Sequence, residues 1–201
     1  NVERIRIPGP RDARGALDVP DGDSGADHAV VACPPHPQMG GSRSDQRLQA
    51  VSDALGERGV ACLRFDYGPW NHGRGERTDA ANALDWAGGR FETVSLFGYS
   101  FGAAVALLAA ADADPQPAAV SVLAPPAHLD DGTETAPAVD RIAGPLQVVY
   151  GERDDTVDWR TVVERARDRG ATIEALPADH HFVGQSGQVG ELVADFLTNA
   201  L

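Results

Sequence analysis

Short apolar runs alternate along the chain with longer stretches in which apolar positions recur three or four residues apart. Runs at 2–7 and 15–19 predict edge strands separated by a turn rich in proline and glycine. Residues 29–33 read as a buried strand ended by Pro34-Pro35. Ser44 is placed to cap a helix from about 45 to 57, with Leu48, Val51 and Leu55 on one face and Gly59 stopping it. A strand at 60–65 and a polar, glycine-rich loop at 66–75 follow. Thr78 then caps a helix that carries Ala81, Leu84 and Trp86.

The second half repeats the rhythm. A strand at 93–97 runs into an alanine-rich helix at 103–111, and a strand at 118–124 ends at Pro125-Pro126. Residues 128–137 are polar and irregular. Strand 146–150, helix 159–169, strand 172–176 and a closing helix at 189–201 complete the chain. Strands alternating with helices predict an α/β architecture, a single mostly parallel sheet with helices on both faces. No internal repeat, low-complexity tract or linker divides the 201 residues, so 1–201 reads as one domain.

Charge narrows the range of partners. Thirty acidic residues face seventeen basic ones, all of them arginine, for a net charge of −13. Nucleic acid and anionic lipid surfaces both need concentrated positive charge, so neither is an expected partner. High acid content without lysine resembles salt-adapted proteins, in which dense salt screens the repulsion among surface carboxylates. No apolar run is long enough to span a bilayer. Residues 1–10 lack the apolar segment of a signal peptide, which makes the cytoplasm the expected location. Cys33 and Cys62 lie inside apolar strands and read as buried free thiols, with neither a disulfide framework nor a CxxC metal pattern.

Candidate chemistry centres on Gly98-Tyr99-Ser100-Phe101-Gly102. The five residues follow the run Val94-Ser95-Leu96-Phe97 and open directly into the alanine-rich helix. A strand–turn–helix of this kind holds a serine in a strained, exposed conformation, and the glycines remove Cβ atoms that would collide. The helix N-terminus adds a positive dipole end where an oxyanion would develop. A serine that merely caps a helix would fit the motif as well, so the surrounding chemistry decides.

Serine at neutral pH needs an adjacent base. In the order Ser, Asp or Glu, His, only His128, His180 and His181 follow Ser100, and the last two lie beyond the final strand. His180 is the preferred base and His181 a substrate contact, with the reverse assignment open. The acid belongs after strand 146–150, where Asp154 is preferred over Asp155 and Glu152. Two backbone donors must hold the oxyanion. Phe101 N–H is one; in the loop Pro34-Pro35-His36-Pro37-Gln38-Met39-Gly40-Gly41 the prolines offer none, and Gln38 is the expected second. His36 reads as a loop-shaping residue and Met39 as lining for an acyl pocket. Trp70 and His128 border the site or pack over the core.

These pieces resemble the α/β-hydrolases, in particular compact bacterial and archaeal members of the dienelactone hydrolase-like branch. The matching segments are His36-Pro37-Gln38-Met39-Gly40-Gly41, Arg64-Phe65-Asp66, the elbow Gly98 to Gly102, the acid segment Gly151 to Val157, and Asp179 to Phe182. The resemblance implies the α/β-hydrolase fold and favours Asp154 and His180 over their neighbours. Two departures matter: Gly68-Pro69-Trp70-Asn71-His72-Gly73 replaces a more glycine-rich loop, and serine stands where dienelactone hydrolases proper carry cysteine. The segment after strand 118–124 is too short for a helical lid, which predicts an open, shallow site. The expected activity is a serine hydrolase acting on a small ester or thioester, with no metal or organic cofactor and with the oligomeric state open. An acyltransferase on the same residues, or a non-catalytic binding protein of the same fold, are the rival readings.

Overall fold

A computed structural model describes residues 1–22 and 25–201. Among them, eight strands form one sheet in the order β1-β2-β4-β3-β5-β6-β7-β8. The strands are β1 (Val2–Arg6), β2 (Arg14–Asp18), β3 (His28–Cys33), β4 (Ala61–Asp66), β5 (Thr93–Tyr99), β6 (Val120–Leu123), β7 (Leu146–Gly151) and β8 (Thr172–Leu176). β2 pairs antiparallel with β1 and β4; the other pairings are parallel. The expected single, mostly parallel sheet is therefore present.

Period-two alternation divides the strands between two cores. Ala29, Val31 and Cys33 of β3 face one side with Leu63 and Phe65 of β4, and Val30 and Ala32 face the other with Cys62. The first side is covered by α2 (Arg74–Gly88), α3 (Phe101–Asp112), the four-residue α4 (Ala136–Val139) and α5 (Arg160–Asp168). The second is covered by α1 (Gln46–Glu57) and α6 (Ser186–Asn199). Val189, Val193 and Leu197 of α6 are almost fully buried, and each such side chain contributes roughly 1.5–3 kcal/mol. Cys33 and Cys62 are free and buried, and burial pushes the Cys62 thiol up to about 12.

Element boundaries differ from expectation where the cap is not the residue type the sequence advertises. α1 is capped by Asp45, whose carboxylate accepts from the N–H groups of Arg47 and Leu48, and not by Ser44. α2 begins at Arg74, so Thr78 lies inside the helix and its hydroxyl bonds back to Arg74 O at 3.4 Å. Its start is fixed from within: the Glu76 carboxylate accepts from Gly73 N–H at 2.9 Å and Asn71 N–H at 3.0 Å. α3 absorbs Phe101 and Gly102, α6 begins three residues early at Ser186, and α4 interrupts the stretch expected to be irregular.

The chain lays β4 on one side of β3, then crosses to lay β5 on the other. That reversal opens a crevice beyond the carboxyl ends of β3 and β5. The register pairs Cys33 with Gly98, which sets Pro34 and Ser100 at the same end of the sheet. Gly151 pairs with Leu176, so the loops after β7 and β8 start level with each other. The connection between β6 and β7 carries α4 and no larger lid.

Candidate active site

Ser100 joins β5 to α3 with φ 58° and ψ −120°, a conformation that costs an L-residue on the order of 1–3 kcal/mol. Two glycines make the turn possible. A Cβ on Gly98 would sit 2.1 Å from Gly102 O, and one on Gly102 would sit 2.2 Å from Cys33 O. The second clearance also brings the first turn of α3 against the start of the loop after β3.

Ser100 Oγ lies 2.8 Å from His180 Nε2, and His180 Nδ1 lies 2.7 Å from Asp154 Oδ2. Asp154 Oδ1 meanwhile accepts from Thr156 N–H at 3.0 Å and Val157 N–H at 3.3 Å. An acceptor-only carboxylate places the imidazole proton on Nδ1 and leaves Nε2 free to accept from the serine hydroxyl. Both partners are withdrawn from water: the Asp154 side chain is 0% exposed and that of His180 is 7% exposed. Asp155 and Glu152 are exposed, as is His181, whose ring meets that of His180 edge-on at 5.3 Å.

The loop after β3 forms a 3-10 turn at Pro37–Met39. Gln38, the expected second oxyanion donor, lies in this turn. Its N–H is already engaged, donating to His36 Nδ1 at 3.2 Å, because the His36 side chain caps that turn. The N–H of His36, by contrast, has no acceptor among the described residues. Accepting at Nδ1 leaves the His36 proton on Nε2, which donates to Asp130 Oδ2 at 3.0 Å. Phe101 is the first residue of α3, so its N–H has no acceptor within the helix.

Aromatic side chains stand beside this crevice. The Trp70 ring lies 4.6 Å from that of His36 and 5.6 Å from that of Phe101, half-buried in the loop between β4 and α2. Met39 is 82% exposed at the end of the 3-10 turn. His128 is exposed in the loop after β6, bridged to Glu134. A cavity of about 720 Å³ lies at the opposite end of the sheet, beside Thr93 and Val94 at the start of β5, and contains none of these residues. No cluster of three or more His, Cys, Asp or Glu suited to a metal ion occurs among the described residues. None of their helices is long and apolar enough to cross a membrane.

Sequence reading missed Tyr99 and Arg47. Tyr99 O–H donates to His180 O at 2.9 Å, and Arg47 Nη1 donates to His181 O at 3.3 Å. The signal for Tyr99 was its place on β5, where alternation turns it towards the α1–α6 face. Arg47 gave none, because a charged residue in a first helical turn usually belongs to solvent.

An open, mostly parallel sheet with a serine on a strained turn after β5, and an Asp and a His after β7 and β8, defines the α/β-hydrolase fold. The chain has that fold. No family model matches the sequence, and no curated protein sequence matches it. Solved structures do. Est1E from Butyrivibrio proteoclasticus superposes with a TM-score of 0.85 at 19% identity over 98% of each chain. An α/β serine hydrolase homologue from Coxiella burnetii gives 0.81 at 26% over 96% of each chain. XC6422 from Xanthomonas campestris, described as an α/β serine hydrolase without lid, gives 0.80 at 24% over 100% of this chain and 95% of that one.

Proposed function

We propose that the protein is a serine hydrolase that cleaves a small carboxylic ester or thioester through an acyl-enzyme. The observation that carries this reading is the continuous chain from Ser100 Oγ through both His180 nitrogens to Asp154, at 2.8 and 2.7 Å. Ser100 Oγ attacks the substrate carbonyl while its proton passes to His180 Nε2. The imidazolium, held by Asp154, then gives that proton to the departing alkoxide or thiolate. Water enters, loses a proton to His180 and attacks the acyl-serine; Ser100 leaves with the proton returned by His180.

We assign to the oxyanion the N–H of Phe101 and a second N–H from the loop after β3, that of Gln38 on leaving His36 Nδ1 or the unengaged one of His36. Each is worth about 3 kcal/mol in such sites. Met39 and Trp70 are assigned to the acyl group, and His181 to the leaving-group side. With α4 the one helix between β6 and β7, the site suits a small acyl substrate bound over an open rim.

A fluorophosphonate probe tests the reading directly. We expect stoichiometric labelling at Ser100, loss of labelling in Ser100→Ala, and hydrolysis of a p-nitrophenyl ester series that is fastest for short acyl chains. Absence of labelling in the folded protein across a range of salt overturns the hydrolase reading and favours a binding protein. Labelling with turnover only when an alcohol or thiol acceptor is added favours the acyltransferase.

A further inference from the structure

We propose that Tyr99 and Arg47 form a clamp that positions His180, by fixing the carbonyls of two successive residues in the loop after β8. The inference rests on the reading of Ser100 and His180 as nucleophile and base. It adds two positioning residues which neither touch substrate nor belong to the Ser-His-Asp set.

A base on a loop is useful only if the loop is held. This one carries its base at residue 180, between a strand end and the start of α6. Three consecutive residues are pinned, each differently. The carbonyl of His180 accepts from the Tyr99 hydroxyl at 2.9 Å in a buried setting. The carbonyl of His181 accepts from Arg47 Nη1 at 3.3 Å. Phe182 is 0% exposed, in the core beneath α1 and α6, and takes a left-handed φ of 51° to get there.

The two donors are themselves joined. The Arg47 guanidinium lies 4.7 Å over the Tyr99 ring, and Asp45 holds it through Nε at 3.1 Å and Nη2 at 2.5 Å. The Tyr99 ring also stacks on the His180 ring, 5.6 Å between centroids and 29° between planes. Tyr99 therefore meets the base twice, at its ring and at its carbonyl. Burial raises the Tyr99 phenol to about 12, so the hydroxyl keeps its proton and remains a donor. Tyr99 immediately precedes Ser100 on β5. The end of β5 thus carries the strut for the base and leads directly into the nucleophile.

Removing the hydroxyl alone, in Tyr99→Phe, leaves the ring and its stacking but strands a buried carbonyl. We expect kcat on p-nitrophenyl acetate to fall about tenfold with KM within about twofold, because a misplaced base slows chemistry without altering the substrate's contacts. Fluorophosphonate labelling should slow in proportion. Arg47→Met keeps the aliphatic stem and should cost about threefold; the double variant should lose less than the product of the two, since both hold one loop. The His180 Nδ1–H proton shared with Asp154 supplies a readout independent of turnover, a downfield NMR resonance that broadens or vanishes in Tyr99→Phe.

A folded Tyr99→Phe protein with unchanged kcat and unchanged resonance overturns the clamp. Should Tyr99→Phe fail to fold, Arg47→Met decides alone, and unchanged labelling there overturns it. A parent protein inert to the probe defeats the hydrolase reading instead, while the resonance still decides the clamp.

Discussion

Asp154 and His180 share a 2.7 Å hydrogen bond across a sequence separation of 26 residues, and the other oxygen of the carboxylate is held by Thr156 and Val157 N–H. The carboxylate is thereby fixed by its own loop before it meets the imidazole. Asp154→Asn would keep the shape of this arrangement yet present an amide N–H or a poorer acceptor to Nδ1, favouring the wrong tautomer. We expect kcat to fall about 10³–10⁴-fold, with KM little changed. Asp155→Asn, on the neighbouring exposed residue, should stay within about twofold on the same ester assay.

How much of this was legible beforehand follows from what each residue needs. The strand–helix alternation, the elbow and the order of Ser100, Asp154 and His180 depend on local patterns, and the structure brings those three side chains together. The helix starts were misread because Glu76 caps α2 from inside it and Asp45 rather than Ser44 caps α1. The His36–Gln38 contact was hidden for a related reason: proline rules identify which residues own an N–H, but not that the His36 ring accepts from this one. Tyr99 and Arg47 meet the base loop through contacts 81 and 134 residues away in sequence, which no local pattern encodes.

Gly102 faces two backbone carbonyls, with a Cβ there falling 2.2 Å from Cys33 O and 2.4 Å from Pro34 O. Backbone cannot swing aside as a side chain can. Gly102→Ala should therefore push α3 away from the loop after β3, lowering stability by roughly 3 kcal/mol and displacing Phe101 N–H. Gly56, within α1, has nothing within 4 Å of its virtual Cβ. Gly56→Ala should stabilise by about 0.5–1 kcal/mol through helix propensity. Urea midpoints of the two variants measure the contrast.

Arg11 reaches from the turn between β1 and β2 into a pair of carboxylates with no exposed side-chain surface, 2.9 Å from Asp79 and 3.5 Å from Glu76, and it also donates to Pro69 O at 2.7 Å. Burial holds the Asp79 carboxyl above its ordinary range, against the opposing pull of Arg11 and of Gly68 N–H. A raised folded-state value means the native state binds the extra proton, so this group's contribution to stability declines as pH rises through that window. Arg11→Met removes the counter-charge and moves the window further up. We expect a loss of about 3–5 kcal/mol at neutral pH that shrinks in acid as Asp79 takes up its proton. Denaturant titrations of both proteins from acid to neutral pH check the sign. A loss that grows in acid would contradict it.

A net charge of −13 should make stability depend on salt, and the direction distinguishes two effects. Direct pairs such as Arg58 with Glu191 at 2.5 Å and Asp195 at 2.7 Å are shorter than any screening length reached below molar salt. Repulsion among the excess carboxylates acts over longer distances, where a Debye length falling from about 10 Å at 0.1 M to about 3 Å at 1 M removes most of it. We therefore propose that the acidic surface is an adaptation to salt, and expect Tm to rise by several degrees when NaCl is raised from 0.1 to 1 M. Sodium chloride suits the test because sulfate would add its own strengthening of apolar burial. A Tm that falls over the same range would show that the ion pairs, and not the repulsion, dominate, and would reject salt adaptation for this surface.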